Sequence, residues 1–277
     1  MLPRPVFIAR GRAAIAPCHN QGVRTVNVTR YVTPLREGGS LPAIVEADDD
    51  GLYVVKFRGA GQGARALIAE LISGEIARAV GLPVPELVFA NLHQDLARTE
   101  PDPEIHQLIH DSAGLNLALD FLPGSVTFEP LIHDVDADLA SRIVWFDAFT
   151  TNVDRTARNT NMLMWHRRLW LIDHGATLYF HHAPSWMNDD QRAREPFALI
   201  KTHVLRSRAT RLAAIDDAMA AALTDDTIAR IVALIPETWL TTDRPDADAS
   251  AMRAAYVRYL TTRLRAPRDF VEAIGRG

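Results

Sequence analysis

Thr151-Asn152-Val153-Asp154-Arg155-Thr156-Ala157-Arg158-Asn159-Thr160-Asn161, continued by Met162-Leu-Met-Trp165 and by Leu169-Trp-Leu-Ile172-Asp173-His174-Gly175, decides the reading of this chain. The apolar runs Met162–Trp165 and Leu169–Ile172 read as two short strands of a hairpin. Such a hairpin sets Asn159, just before its first strand, beside Asp173, just after its second. Asp154 stands five residues ahead of Asn159. Magnesium-dependent phosphoryl transfer needs these residue types in this order. One Asp orients an attacking hydroxyl and accepts its proton, while an Asn and a second Asp offer hard oxygens to the metal that bridges the nucleotide phosphates. Asp-x4-Asn alone describes many polar loops. Here an apolar helix lies ahead of it, within Ala137–Thr151, and the hairpin behind it carries the second Asp.

Working outward, the basic residues are unevenly divided, with only Lys56 and Lys201 as lysines among the 30 Lys and Arg. Lysine is a compact point charge and arginine a planar fork, so a lysine kept against that background marks a site where the fork does not fit. Lys56 lies in the run Leu52-Tyr-Val-Val-Lys56-Phe57, which pairs with Pro42–Ala47 around an Asp-Gly turn. Tyr53, Val55 and Phe57 share one strand face; Leu52, Val54 and Lys56 share the other. A helix follows over Ala64–Val80 and stops at Gly81-Leu82-Pro83. It carries Glu70 and Glu75, which project about 140° apart, so only one can face Lys56. Gly38-Gly39-Ser40 and Gly59-x-Gly61-x-Gly63 are two glycine-rich turns whose amides could meet an anion; neither is a Walker loop. The run Ala118-Leu-Asp-Phe121-Leu122-Pro123-Gly124 is a candidate hinge whose backbone would read adenine.

Composition narrows the class. At 277 residues, 48% hydrophobic and 23% charged, the chain is an ordinary globular protein of one large domain or two lobes. A net charge of −4 recommends neither nucleic acid nor an anionic membrane. The single cysteine, Cys18, excludes an intramolecular disulfide and a multi-cysteine metal site. No transmembrane-length apolar run or signal segment is legible, which points to the cytoplasm. His174, His181 and His182 with Asp173 fit no zinc spacing. The expected class is α+β, strands first and helices last, with an irregular arm over 1–22, a β-rich lobe with one long helix over 23–118, and a mostly helical lobe over 119–277.

The set Tyr53-Val-Val-Lys56-Phe57, the Glu70 helix ending Gly81-Leu-Pro-Val-Pro85, Asp154-Arg155-x3-Asn159 and Ile172-Asp173-His174-Gly175 resembles the HipA-like kinases and, more distantly, the phosphatidylinositol kinases. The resemblance implies a two-lobed protein-kinase-like fold using ATP and Mg. It also implies Asp154 as catalytic base, Asn159 and Asp173 as metal ligands, Lys56 as phosphate contact, and Glu70 rather than Glu75 as its partner, with Glu75 solvated. The expected acceptor is a hydroxyl, on Ser/Thr of a protein. A small-molecule phosphotransferase of aminoglycoside or choline type is the alternative, with Asp189-Asp190 and Asp216-Asp217 as the nearest acidic patches for a cationic substrate. A nucleotide-binding pseudokinase scaffold is the third reading.

Overall fold

The computed structural model describes residues 22–35, 41–61, 63–183, 185–243 and 248–275. Cys18, nearly all of the expected N-terminal arm and the Gly38-Gly39-Ser40 turn lie outside the described residues.

Five strands close into a barrel in the order β1-β2-β3-β5-β4: β1 (Thr25–Pro34), β2 (Ala43–Ala47), β3 (Leu52–Lys56), β4 (Leu87–Leu92) and β5 (Gly114–Asp120). Neighbours run antiparallel except β1 and β4, whose parallel pairing closes the ring. Period-2 alternation sends Val26, Val28, Val45, Tyr53, Val55 and Val88 inward, and the small Ala43, Ala47, Ala90 and Ala118 leave room for closure. Ile105 and Ile109 of α2 (Pro103–Asp111) join this core. The β2–β3 turn is held by an Asp50 N–H bond to Ala47 O, 3.1 Å, with Asp50 left-handed at φ 60°, a conformation Asp tolerates. Lys56 lies on the opposite strand face and so turns away from the barrel interior, toward α1 (Ala64–Ala79).

The α1 helix is buried almost all round, with Leu67, Ile68, Leu71, Ile72 and Ile76 in a second, larger core. A Cβ at Gly74 would come within 2.7 Å of Leu87 on β4, so the missing side chain allows the close crossing. The helix ends in a Schellman motif, in which Leu82 N–H reaches Ala77 O, Gly81 N–H reaches Arg78 O, and Gly81 sits at φ 71°.

Beyond β5, a second sheet has the order β6-β7-β8: β6 (Val126–Thr127), β7 (Met162–Trp165) and β8 (Arg168–Leu171). Its hairpin turns through His166 and Arg167, both left-handed (φ 47° and 63°), a type I′ geometry built without the usual Asn-Gly. Between β6 and β7 lies α3 (Ala137–Phe149), capped by Asp136, whose carboxylate accepts Leu139 N–H at 2.9 Å. The chain finishes with α4 (Leu212–Ala222), α5 (Asp225–Ala233), α6 (Glu237–Asp243), α7 (Ala249–Leu264) and α8 (Asp269–Gly275). Within the lobe expected to be mostly helical, the stretch from Phe197 to Arg211 is instead a run of 3₁₀ turns. Its arginines bond carbonyls of distant segments: Arg206 to Ile274 O, Arg208 to His133 O and Pro130 O. The class is α+β. Among the described residues no helix is long and apolar enough to cross a membrane.

Candidate functional site

Lys56 stands where three elements meet. Its Nζ lies 2.6 Å from Glu70 Oε2 on α1 and 2.5 Å from Asp173 Oδ1, two residues past the end of β8. Glu70 also accepts the His174 backbone N–H at 2.7 Å, so one carboxylate holds both the lysine and the peptide beside Asp173. Asp173 itself is left-handed at φ 55°. A non-glycine residue keeps that conformation where its surroundings fix it, here through its own bond to Lys56 and the bond of the next residue's N–H to Glu70. Burial would lower the Lys56 ammonium, but the two carboxylates outweigh it and raise its pKa. Burial likewise disfavours the Glu70 carboxylate, yet Lys56 and His174 bring its pKa down to about 2.

The Asp154 loop is organised from beneath. Asp147, wholly buried near the end of α3, accepts three side chains: Asn152 Nδ2 on Oδ1 at 2.7 Å, Arg155 Nε on Oδ2 at 2.6 Å and His203 Nε2 on Oδ2 at 2.8 Å. Desolvation opposes this carboxylate, but Arg155 and His203 hold its pKa below the ordinary carboxylate range. These bonds straddle Asp154. Ahead of it, Asn152 Oδ1 accepts the Asp154 N–H at 3.0 Å. Behind it, Arg155 donates to Asn161 O. Asp154 Oδ2 then accepts the side-chain amides of Asn159 (2.7 Å) and Asn161 (3.0 Å). The hairpin base is closed by Ile172 N–H to Asn161 O at 3.0 Å, which ties the segment after Asn159 to the one before Asp173. The structure thus joins Lys56, Glu70 and Asp173 in one cluster and Asp154 and Asn159 in a second.

Other expected residues fare differently. Gly59 N–H donates to Ser112 Oγ (3.0 Å) and Gly63 N–H to Ala60 O (2.8 Å), so two of the three glycine amides after Lys56 are engaged within the fold. Phe121 N–H bonds Leu52 O at 2.9 Å, and Leu122 O closes a Pro123-Gly124 turn with Ser125. Glu75 is not solvated as expected; it is largely covered and paired with Arg78 at 2.7 Å, because the helix is buried on nearly every side. The acidic pairs are taken up by arginines. Asp189 meets Arg192, Asp190 meets Arg258, and Asp216 and Asp217 share Arg268. His174 faces Glu70, and His181, kept neutral by burial, faces the Tyr256 hydroxyl at 3.0 Å. Among the described residues no three His, Cys, Asp or Glu form a metal cluster.

Asn152, Asn161 and His203 carry no sequence signal of their own. Asp147 does: a lone acid inside Ile143-Val-Trp-Phe-Asp147-Ala-Phe149 faces a core that tolerates charge only when paired.

No curated protein matches this chain. The crystal structure of the Helicobacter pylori proinflammatory kinase CtkA superposes with a TM-score of 0.57 at 11% identity, over 91% of this chain and 99% of that one, and shows a shared fold. The golgi casein kinase superposes with a TM-score of 0.39 at 10% identity, over 93% of this chain and 75% of that one. The family model of the HipA-like kinases matches residues 28–272; this chain belongs to that family and is a phosphotransferase.

Proposed function

We propose that the protein transfers the γ-phosphoryl group of Mg-bound ATP to a serine or threonine hydroxyl of a protein. In this reading the barrel with α1, residues 23–118, is one lobe and residues 119–277 the other, with nucleotide held between them and the adenine ring beside Phe121-Leu122. The observation that carries it is the Lys56 cluster: a largely covered lysine held by the fully buried Glu70 and in contact with Asp173. A cation fixed by an interior carboxylate suits phosphate oxygens, and Asp173 stays half exposed for exchange with a ligand.

The donor set fits magnesium. Asn159 uses its amide nitrogen on Asp154, which leaves its carbonyl oxygen, and Asp173 retains a second carboxylate oxygen. Two hard oxygens suit an ion that keeps several waters and phosphate oxygens in its shell. When bound, the ion would neutralise charge on the transferring group. Lys56 holds phosphate oxygens in place. Asp154, its Oδ2 loaded by two amides, keeps Oδ1 for the acceptor hydroxyl. The hydroxyl oxygen attacks the γ-phosphorus, the bond to the β–γ bridging oxygen breaks, ADP leaves, and the hydroxyl proton passes to Asp154.

The test uses γ-labelled ATP with magnesium and lysate, beside Asp154→Ala. The variant is expected to lose transfer by roughly 10²–10⁴-fold while its thermal shift with Mg-ATP is retained. Label in small molecules alone would move the acceptor to metabolites. Mg-ATP binding without turnover would make the chain a scaffold.

A further inference from the structure

Two segments that follow Asp173 are stitched to opposite flanks of the Asp154 loop. On one side, Leu178 N–H bonds Thr150 O at 2.7 Å and Tyr179 N–H bonds Thr151 Oγ1 at 3.1 Å. On the other, Thr156 and His203 form an antiparallel bridge, and Val204 N–H bonds Arg155 O at 3.2 Å. Each segment carries a large apolar side chain left in solvent: Tyr179, whose own N–H bonds the loop, is 59% exposed, and Leu199, four residues before His203, is 52% exposed. Large apolar groups are exposed at this level at few positions of the described chain, and two of them stand on the segments that are bonded to the flanks of the loop bearing the proposed base.

Basic side chains lie on the two segments that meet at the bridge. Arg158 lies two residues after Thr156, and Lys201 two residues before its bridge partner His203. Both side chains are exposed, and neither makes an ion pair among the described residues. Lys201, His203, Arg206 and Ser207 line a groove of about 420 Å³ without an acidic residue. The adjoining hollow, which Lys201 also lines, does contain Asp269 and Glu272 together with Arg194, so the basic character is confined to the side toward His203. His203 couples this groove to the loop, because its Nε2 is fixed on Asp147.

We propose that this surface docks an extended segment of the protein substrate in which acidic residues flank the acceptor hydroxyl, with an apolar side chain resting on Leu199 or Tyr179. The inference rests on the protein-kinase reading above. Its substance is the class of acceptor sequence. Apolar and cationic groups spread along separate segments match a chain rather than a compact metabolite, and carboxylates complement Lys201 and Arg158.

Synthetic peptides with one serine and Glu, Ala or Lys fixed at each flanking position test it, with Lys201→Glu and Leu199→Asp beside the full-length wild-type chain. The expected result is a preference for Glu peptides, a KM at least tenfold higher in Lys201→Glu at unchanged kcat and unchanged Mg-ATP binding, and recovery when the peptide's Glu becomes Lys. Equal kcat/KM for the three peptide sets, or no change in Lys201→Glu, would overturn it. Binding of a fluorescein-labelled Glu-rich serine peptide, followed by anisotropy, separates the two readings. Lys201-dependent binding without transfer to any peptide would retain the surface and remove the protein-kinase reading; transfer without Lys201 dependence would do the reverse. A dimer that Leu199→Asp dissolves, with peptide binding unaltered, would also overturn the proposal, since the face would then join two copies of the chain.

Discussion

The protein holds two clusters in which one interior carboxylate gathers several donors, and only one of them opens to solvent. Around Glu70, side-chain exposure rises from 0% at the glutamate through 12% at Lys56 to 47% at Asp173. Around Asp147 it stays at 0% for Arg155 and 2% for His203. The first cluster can exchange partners with a ligand. The second has nothing to exchange and holds backbone instead, since its donors come from both sides of Asp154 and from the segment after it. In the proposed reading the difference separates a binding device from a positioning device built from similar chemistry.

The largest expected effect lies in the sealed cluster. Asp147→Ala leaves the Arg155 charge, His203 Nε2 and the Asn152 amide without their acceptor in the core. Breaking a buried pair by removing one partner costs about 3–5 kcal/mol. Urea midpoints should therefore fall further for Asp147→Ala than for Lys56→Met. In the latter, Asp173 can turn to water and the buried Glu70 loses its cation but keeps the His174 N–H, so one acceptor is stranded rather than three donors, and stabilisation by Mg-ATP is lost as well. Equal losses in the two variants would break the distinction.

Acid should act on both clusters with the same sign. Glu70 has its pKa lowered from 4.5 to about 2, so its stabilisation is complete above pH 4.5 and is lost as pH falls toward 2. That shift corresponds to on the order of 3 kcal/mol. Asp147 is lowered for the same reason. Lys56, raised instead, contributes fully below 10.5 and loses its contribution only at more alkaline pH. Urea midpoints measured from pH 6 to 3 should fall less steeply in Glu70→Gln than in the wild type. An identical slope would mean that Glu70 has the same pKa in the folded and the unfolded chain.

Local pattern made much of this legible. The helix expected over 64–80 is Ala64–Ala79, and the hairpin strands expected at 162–165 and 169–172 are 162–165 and 168–171. Period, glycine stops and β-branched runs act within a few residues, so they can be read there. Barrel closure could not be: the β1–β4 pairing joins Thr25 to Phe89, and nothing near either residue announces the other. His203 was hidden for the same reason, lying 56 residues from Asp147. The run of 3₁₀ turns after Phe197 was missed because Ala, Leu and Ile there are compatible with a helix, whereas long-range bonds to Arg206 and Arg208 decide the backbone.

The smallest effect tests whether the sealed cluster reaches the proposed base through Asn161. This residue sits at φ 47°, its carbonyl accepts from Arg155 and Ile172, and its amide donates to Asp154 Oδ2. Alanine would remove the amide and strain the left-handed backbone together. Glycine accepts that φ freely, so Asn161→Gly isolates the side chain. Asn159 still holds Oδ2 at 2.7 Å, so only one of two amides is lost. A hydrogen bond to a charged group is worth about 1.5–3 kcal/mol at most, and partial replacement by water reduces it. We expect kcat to drop by roughly fivefold, about 1 kcal/mol, with KM for Mg-ATP unchanged because the Lys56 cluster is untouched. Unaltered kcat would mean that Asn159 and the backbone bonds suffice to hold Asp154. A rise in the Mg-ATP KM instead would mean that Asn161 serves the open cluster, and the separation of binding from positioning would fail at this residue.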